Sequence, residues 1–130
     1  MNRIAIVEDH PDNRLLVQMI LQELYELAAY ETGAEALAGL RQHKPDLVLL
    51  DISLPDMDGT DLLRLLRADA ALRDLPVVAL TAHAMSGDRE RFLALGFDDY
   101  VTKPIVEEAL LLNAVAGALD GRSATPEPPG

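Results

Sequence analysis

The sequence predicts an α/β fold, a parallel sheet with helices on both faces, and three observations carry that reading. Five short apolar runs recur along the chain, each followed by a longer segment with helical spacing. The run Leu47-Val48-Leu49-Leu50 is apolar throughout rather than alternating, as a strand buried on both faces requires. The chain has 130 residues, inside the range of one domain and enough to bury about two-thirds of its unfolded surface.

The first run, Ile4-Ala5-Ile6-Val7, is rich in β-branched residues and is stopped by Glu8 and Asp9. Pro11 suits the first turn of the helix that follows, where a missing N–H is no loss. Leu15, Leu16, Met19, Ile20 and Leu24 recur at helical spacing and are expected to form its buried stripe. The second run, Leu27 to Tyr30, is the weakest strand, because Ala28-Ala29 also tolerates helix. Gly33 then separates it from a helix carrying Ala36, Leu37 and Leu40. The third run ends at Asp51, and Pro55 and Gly59 punctuate the loop before a helix with Leu62, Leu63, Leu65 and Leu66. Pro76 introduces the fourth run, Val77 to Leu80, which ends at Thr81. Ser86 to Leu95 reads as a helix closed by Gly96. The fifth run, Tyr100 to Thr102, ends at Lys103-Pro104, and a strongly apolar helix spans Val106 to Leu119 with Gly121 as its stop. The expected organisation is one domain over residues 1–120 and a disordered, Pro-rich tail over 121–130.

Composition excludes several classes of function. The chain has no cysteine, so disulfides, thiolate metal sites and thiol chemistry are absent. With 11 basic and 22 acidic residues the net charge is −11, which repels phosphate backbones and anionic lipid; neither nucleic acid nor a membrane is the expected partner. No apolar run nears the roughly 18–20 residues that span a bilayer, and the opening residues do not read as a signal peptide. The expected location is the cytoplasm.

Polar residues end the strands in a telling way. Glu8-Asp9, Asp51, Thr81 and Lys103 each follow a different run, and right-handed crossovers bring every strand's C-terminal end to one edge of the sheet. Three carboxylates gathered there repel one another and raise one another's pKa unless a cation intervenes. Magnesium fits best, as a hard ion held by one or two carboxylates, waters and phosphate oxygens. An ammonium and a hydroxyl beside it complete the parts for phosphoryl transfer, which is mostly positioning and charge neutralisation.

These residues carry a resemblance. Ile6-Val7-Glu8-Asp9, Leu49-Leu50-Asp51-Ile52-Ser53-Leu54-Pro55-Asp56-Met57-Asp58-Gly59, Ala79-Leu80-Thr81-Ala82 and Gly96-Phe97-Asp98-Asp99-Tyr100-Val101-Thr102-Lys103-Pro104 follow in the order seen in receiver domains of two-component response regulators. The chain resembles that family from about Asn2 to Leu119. The resemblance implies a doubly wound, flavodoxin-like sheet in the order 2-1-3-4-5 with five helices. It implies that Asp51 accepts a phosphoryl group from a phosphohistidine. Magnesium, or manganese in its place, would be held by Asp9, Asp51 and the Ser53 backbone carbonyl, with Glu8 acting through water. Thr81, Ala82 and Lys103 would bind the phosphoryl group, Thr81 and Tyr100 would form the switch pair, and the Lys103-Pro104 bond would be cis. Many members carry two aspartates where this chain has Glu8-Asp9.

The implied partners are a histidine kinase or histidine phosphotransfer protein, and a downstream protein on the face of the fourth helix, fifth strand and fifth helix. The expected state is a monomer or weak homodimer, acting as a switch with only self-catalysed phosphoryl transfer and hydrolysis, not as an enzyme. A receiver module of a hybrid histidine kinase would look the same. A magnesium-dependent phosphatase with an Asp nucleophile fits less well, since its second Asp would fall where Ser53 stands. A flavodoxin-like cofactor binder lacks the Ser/Gly-rich first loop, which here is the acidic Glu8-Asp9-His10-Pro11-Asp12. His10, His43 and His83 are expected at loops and helix ends without a metal role. Asp56, Asp58 and Asp61 read as loop and helix N-terminal charge, Arg64 and Arg67 as a solvated helix face, and Phe92 and Phe97 as core. About half of Leu110, Leu111, Leu112, Val115 and Leu119 are expected to be core and the rest to face a partner.

Overall fold

The five apolar runs become β1 (Arg3–Val7), β2 (Glu26–Tyr30), β3 (Leu47–Asp51), β4 (Val77–Thr81) and β5 (Asp99–Thr102) of one sheet in the order β2-β1-β3-β4-β5, with every pairing parallel. Between and after them run α1 (Pro11–Leu21), α2 (Gly33–Gln42), α3 (Gly59–Ala68), α4 (Asp88–Leu95) and α5 (Glu108–Ser123). The structure, a computed structural model, describes residues 2–82, 88–103 and 108–123. His83, the expected helix starts at Ser86 and Val106, the Lys103-Pro104 bond and the chain from 124 onward lie outside the described residues.

Alternation along each strand splits the core in two. Val7, Val48, Leu50, Val77 and Ala79 pack beneath α2, α3 and α4, whereas Ile4, Ile6, Leu47, Leu49, Val78 and Leu80 pack beneath α1 and α5. Every residue of β3 and β4 is buried, as the unbroken apolar run at Leu47 required. Phe92 and Phe97 join the first core edge-to-face, with ring centroids 5.7 Å apart. The predicted positive-φ cap is present at Gly96, where φ is 115°.

Three local expectations are corrected. In α1 the buried residues are Val17 and Leu21, with Ile20 packed partly beside them; Leu15 and Met19 are 56% and 60% exposed, and Leu24 lies beyond the helix end and exposed. Apolar residues run nearly all round this helix, so spacing does not select a face. That choice falls to the sheet it packs on, while Pro11 and the His10 side chain, accepting from the Asp12 amide, start the helix after β1. Arg67 is not on a solvated face. Its guanidinium donates to the carbonyls of Arg73 (2.9 Å), Leu75 (2.6 Å) and Gly96 (2.7 Å) and lies 3.5 Å from Asp98, satisfying carbonyls that lead into β4 and β5. Arg64 is solvated as expected. Finally, α5 does not stop at Gly121 but continues to Ser123; once a helix is running, one more residue adds a bond, and a single Gly costs only about 1 kcal/mol. On α5 itself Leu111 and Val115 are buried, Leu112 and Leu119 partly so, and Leu110 is exposed.

Candidate functional site

Register brings the strand-end residues level. Val7 pairs with Leu50, Asp51 with Leu80, and Thr81 with Thr102, so Glu8, Asp51, Thr81 and Lys103 all stand at the C-terminal edge of the sheet. Glu8, Asp51 and Thr81 are buried, and Asp9 keeps contact with solvent. The Lys103 ammonium lies 2.9 Å from Asp51 Oδ1 and 3.3 Å from Glu8 Oε1. Glu8, Asp9 and Asp51 each offer a carboxylate oxygen, all within 4.8 Å of one another. Three oxygens of hard-ligand type, one side open to water, suit a divalent cation of the magnesium class.

Local chain geometry holds each acid. Glu8 donates its amide to the Tyr30 carbonyl at 3.0 Å, and its Oε2 accepts from the His10 amide at 3.1 Å. Asp51 Oδ1 accepts from the Ser53 amide at 3.1 Å as well as from Lys103. Beyond it the loop doubles back, with Ser53 bridged to Asp58 and the Gly59 amide donating to the Ile52 carbonyl at 2.7 Å. A Cβ at Gly59 would stand 2.5 Å from the Asp51 carbonyl oxygen and 2.7 Å from the Ile52 Cα, so no other residue fits without moving the chain that carries Asp51. The Lys103 amide donates to the Thr81 carbonyl at 2.8 Å, tying the ends of β4 and β5 together.

The electrostatics follow from burial. Desolvation pushes the Glu8 carboxyl up from 4.5 to about 7, and the neighbouring Asp51 carboxyl adds to the push; the His10 amide and the Lys103 ammonium oppose it. Burial works against the charge on Lys103, but Asp51 and Glu8 outweigh it and hold its pKa above the usual value. A folded-state proton on Glu8 that the unfolded chain lacks means that the metal-free protein loses stability as pH rises from about 4.5 through 7, by on the order of 3 kcal/mol. Glu8→Gln is expected to remove that component, so thermal melts in chelator should give the variant a flatter pH profile than wild type over this window. Parallel profiles would contradict the assignment.

The sequence model described as "Response regulator receiver domain" matches residues 4–116. The chain belongs to the response regulator receiver family. Among its relatives, the sensor protein GacS of Pseudomonas syringae pv. syringae is 44% identical over 112 residues, covering 83% of this chain but 12% of that protein. The polar-differentiation response regulator DivK of Brucella anthropi is 43% identical over 107 residues, covering 78% of this chain and 84% of that protein. The signal receiver domain of a histidine kinase from Syntrophus aciditrophicus superposes with a TM-score of 0.84 at 35% identity, over 98% of this chain and 97% of the other. The receiver domain of sensor histidine kinase PA1611 from Pseudomonas aeruginosa PAO1, solved with a magnesium ion coordinated in its active site cleft, gives 0.81 at 34% identity over 91% and 97%. Receiver domains are the switches of two-component signalling and work with histidine kinases and downstream effectors. Among the described residues of this one, no helix is long and apolar enough to cross a membrane.

The receiver's strand-end residues Glu8, Asp9, Asp51 and Lys103 thus meet in one cluster. Thr81 ends β4 with its side chain on the opposite face to Leu80, the face on which Ala79 pairs with Tyr100. Tyr100 is half-buried there, its ring centroid 5.5 Å from that of Phe92, and Ala82 follows Thr81 on the exposed surface. Asp56, Asp58 and Asp61, in the loop and the first turn of α3, separate into distinct duties. Asp58 caps α3 through the Thr60 amide, Asp61 pairs with Arg64, and Asp56 reaches across to accept from the Gly33 and Ala34 amides of α2 at 2.8 and 3.0 Å. That cap, chiefly its bond from the Gly33 amide, holds the Asp56 carboxyl below its usual pKa. Spacing carries no signal of this tertiary contact. Sequence reading also passed over Arg14, a basic residue one turn into the helix after the acidic loop, which contacts the carbonyls of both loop acids.

Proposed function

We propose that this receiver accepts a phosphoryl group on Asp51 from a phosphohistidine and thereby switches the binding of a downstream protein. The observation that carries the reading is the buried Asp51 carboxylate at the end of β3, 2.9 Å from the Lys103 ammonium and grouped with Glu8 and Asp9. An Asp51 oxygen attacks phosphorus as the P–N bond breaks, and the electron pair returns to the donor imidazole. Lys103 neutralises phosphoryl oxygens, and Thr81 with Ala82 flanks the new ester on the β4 side. Asp9, Asp51 and the Ser53 carbonyl would hold magnesium, or manganese in its place, with Glu8 acting through water; bound there, the ion supplies positive charge against the phosphoryl oxygens. The exposed Leu15 and Met19 on α1, the helix that leaves the acidic loop, offer the donor an apolar footing beside the site.

Esterification adds negative charge at the sheet edge, to which the Thr81 hydroxyl donates by moving inward while Tyr100 fills the space left. The output face is then α4, β5 and α5. Beside Tyr100 it carries a groove of about 370 Å³ between β5 and α5, bordered by Asp99, Thr102, Asn113 and the half-exposed Leu110. The net charge of −11 points to a protein partner rather than nucleic acid. The receiver acts in the cytoplasm as a monomer or weak homodimer, and its own phosphoryl transfer and hydrolysis are its only chemistry. A general phosphatase reading lacks its proton donor, since Ser53 stands where the second Asp would be. The test is intact mass after exposure to acetyl phosphate: one added phosphoryl group, with magnesium and not without it, is expected, and no gain in either condition would overturn the proposal. Thr81→Ala is expected to leave that gain in place while weakening phosphorylation-dependent partner binding; equal affinity with and without the hydroxyl would remove Thr81 from the switch.

A further inference from the structure

Arg14 lies in the first turns of α1, its amide donating to the His10 carbonyl, and its guanidinium turns back beneath the loop that carries the two acids. Nη1 donates to the Glu8 carbonyl at 3.0 Å and to the Asp9 carbonyl at 3.3 Å, while Nη2 lies 3.8 Å from the Glu31 carboxylate. The side chain is only 20% exposed, so most of it is withdrawn from water. Both carbonyls belong to the residues whose carboxylates enter the cluster with Asp51. Both bonds come from Nη1, whose two N–H groups are fixed in the guanidinium plane, a preset direction that a freely rotating lysine ammonium lacks. Groups that hold metal ligands from behind commonly matter about 10–100-fold in metal affinity, because a ligand set already in place has less ordering left to do on binding.

We propose that Arg14 is a positioning residue for a divalent cation: by anchoring the Glu8 and Asp9 carbonyls it presets the two carboxylates in the geometry the ion needs. The role rests on reading the acid cluster as a cation site. Its sign is open to test, because a guanidinium acting only through its charge would oppose a cation, and its loss would then tighten binding. Glu31 beside it offsets that charge, which leaves anchoring as the larger effect.

The experiment is a calorimetric titration with magnesium chloride of the wild-type chain, R14M, R14K and R67M, with thermal melts of all four. Arg67 is the control, since it too clamps backbone carbonyls, those of Arg73, Leu75 and Gly96, but at the N-terminal edge of the sheet. We expect R14M and R14K to bind magnesium about tenfold more weakly or worse, and R67M to lose melting temperature while binding magnesium as wild type does. R14K keeps the charge and loses the fixed guanidinium plane, and it decides the question if R14M does not fold. Wild-type or tighter affinity in the Arg14 variants would overturn the proposal, as would equal losses in R14M and R67M, which report general destabilisation. A wild-type chain that takes up no magnesium would overturn the cation site itself.

Discussion

Asp51→Asn is expected to take up no phosphoryl group from acetyl phosphate and magnesium, where the wild-type chain takes up one. The substitution keeps the shape of the side chain and an oxygen for the Ser53 amide, which now bonds Asp51 Oδ1 at 3.1 Å. It removes the negative oxygen that attacks phosphorus, and amides are poor nucleophiles. It also removes one of three acidic oxygens lying within 4.8 Å of one another, so magnesium affinity falls with it. Folding is not expected to suffer, because one of two buried acids competing for Lys103 is gone and Glu8 keeps the ammonium at 3.3 Å. Intact mass reads the result directly, and a chemical-denaturation curve confirms the fold. A phosphoryl group still acquired by the variant, on any other residue, would displace Asp51 from its proposed role.

Lys103→Met is the second large expected effect, and it depends on pH. Lys103 is 14% exposed and pairs with two buried carboxylates, at 2.9 and 3.3 Å. Breaking a buried pair by removing one partner costs about 3–5 kcal/mol when the remaining charges stay ionised. They need not stay ionised here. Glu8 titrates at about 7 even with the ammonium beside it, and without that opposing charge its pKa rises further. Below 7 Glu8 takes up a proton and gives up its charge, so the loss of stability is small; above 7 the loss approaches its full size. Denaturation midpoints on either side of neutrality should therefore diverge between variant and wild type as pH rises, and an equal deficit at both would refute the charge argument. Magnesium should restore part of the deficit on the alkaline side. Phosphoryl transfer should fall by about 10²–10³, the usual cost of removing one donor aimed at developing negative charge.

The strands and their polar ends were legible because both signals are local. A run such as Leu47–Leu50 can be satisfied only by burial on two faces, and Asp51, Thr81 and Lys103 mark where each run meets the loop edge. Parallel pairing then makes convergence follow from topology, whatever the side chains do. The buried face of α1 was not legible, because Leu15, Leu16, Val17, Met19, Ile20 and Leu21 offer apolar atoms in almost every direction and only the sheet chooses among them. Arg67 looked like a surface charge because the carbonyls of Leu75 and Gly96 that it serves lie 8 and 29 positions away along the chain.

The amino-acid sequence by itself determined the order of elements, the edge at which the chemistry sits and the kinds of group that gather there. Those follow from periodicity, punctuation and the handedness of the crossovers. Tertiary structure decided how those groups behave: the shift of Glu8 to about 7, the sharing of Lys103 between two carboxylates, and the reach of Arg14 and Asp56 to backbone atoms of other segments. The physical reason is that a carboxyl's pKa and an arginine's partner depend on water excluded and atoms approached in three dimensions, and spacing along the chain encodes neither.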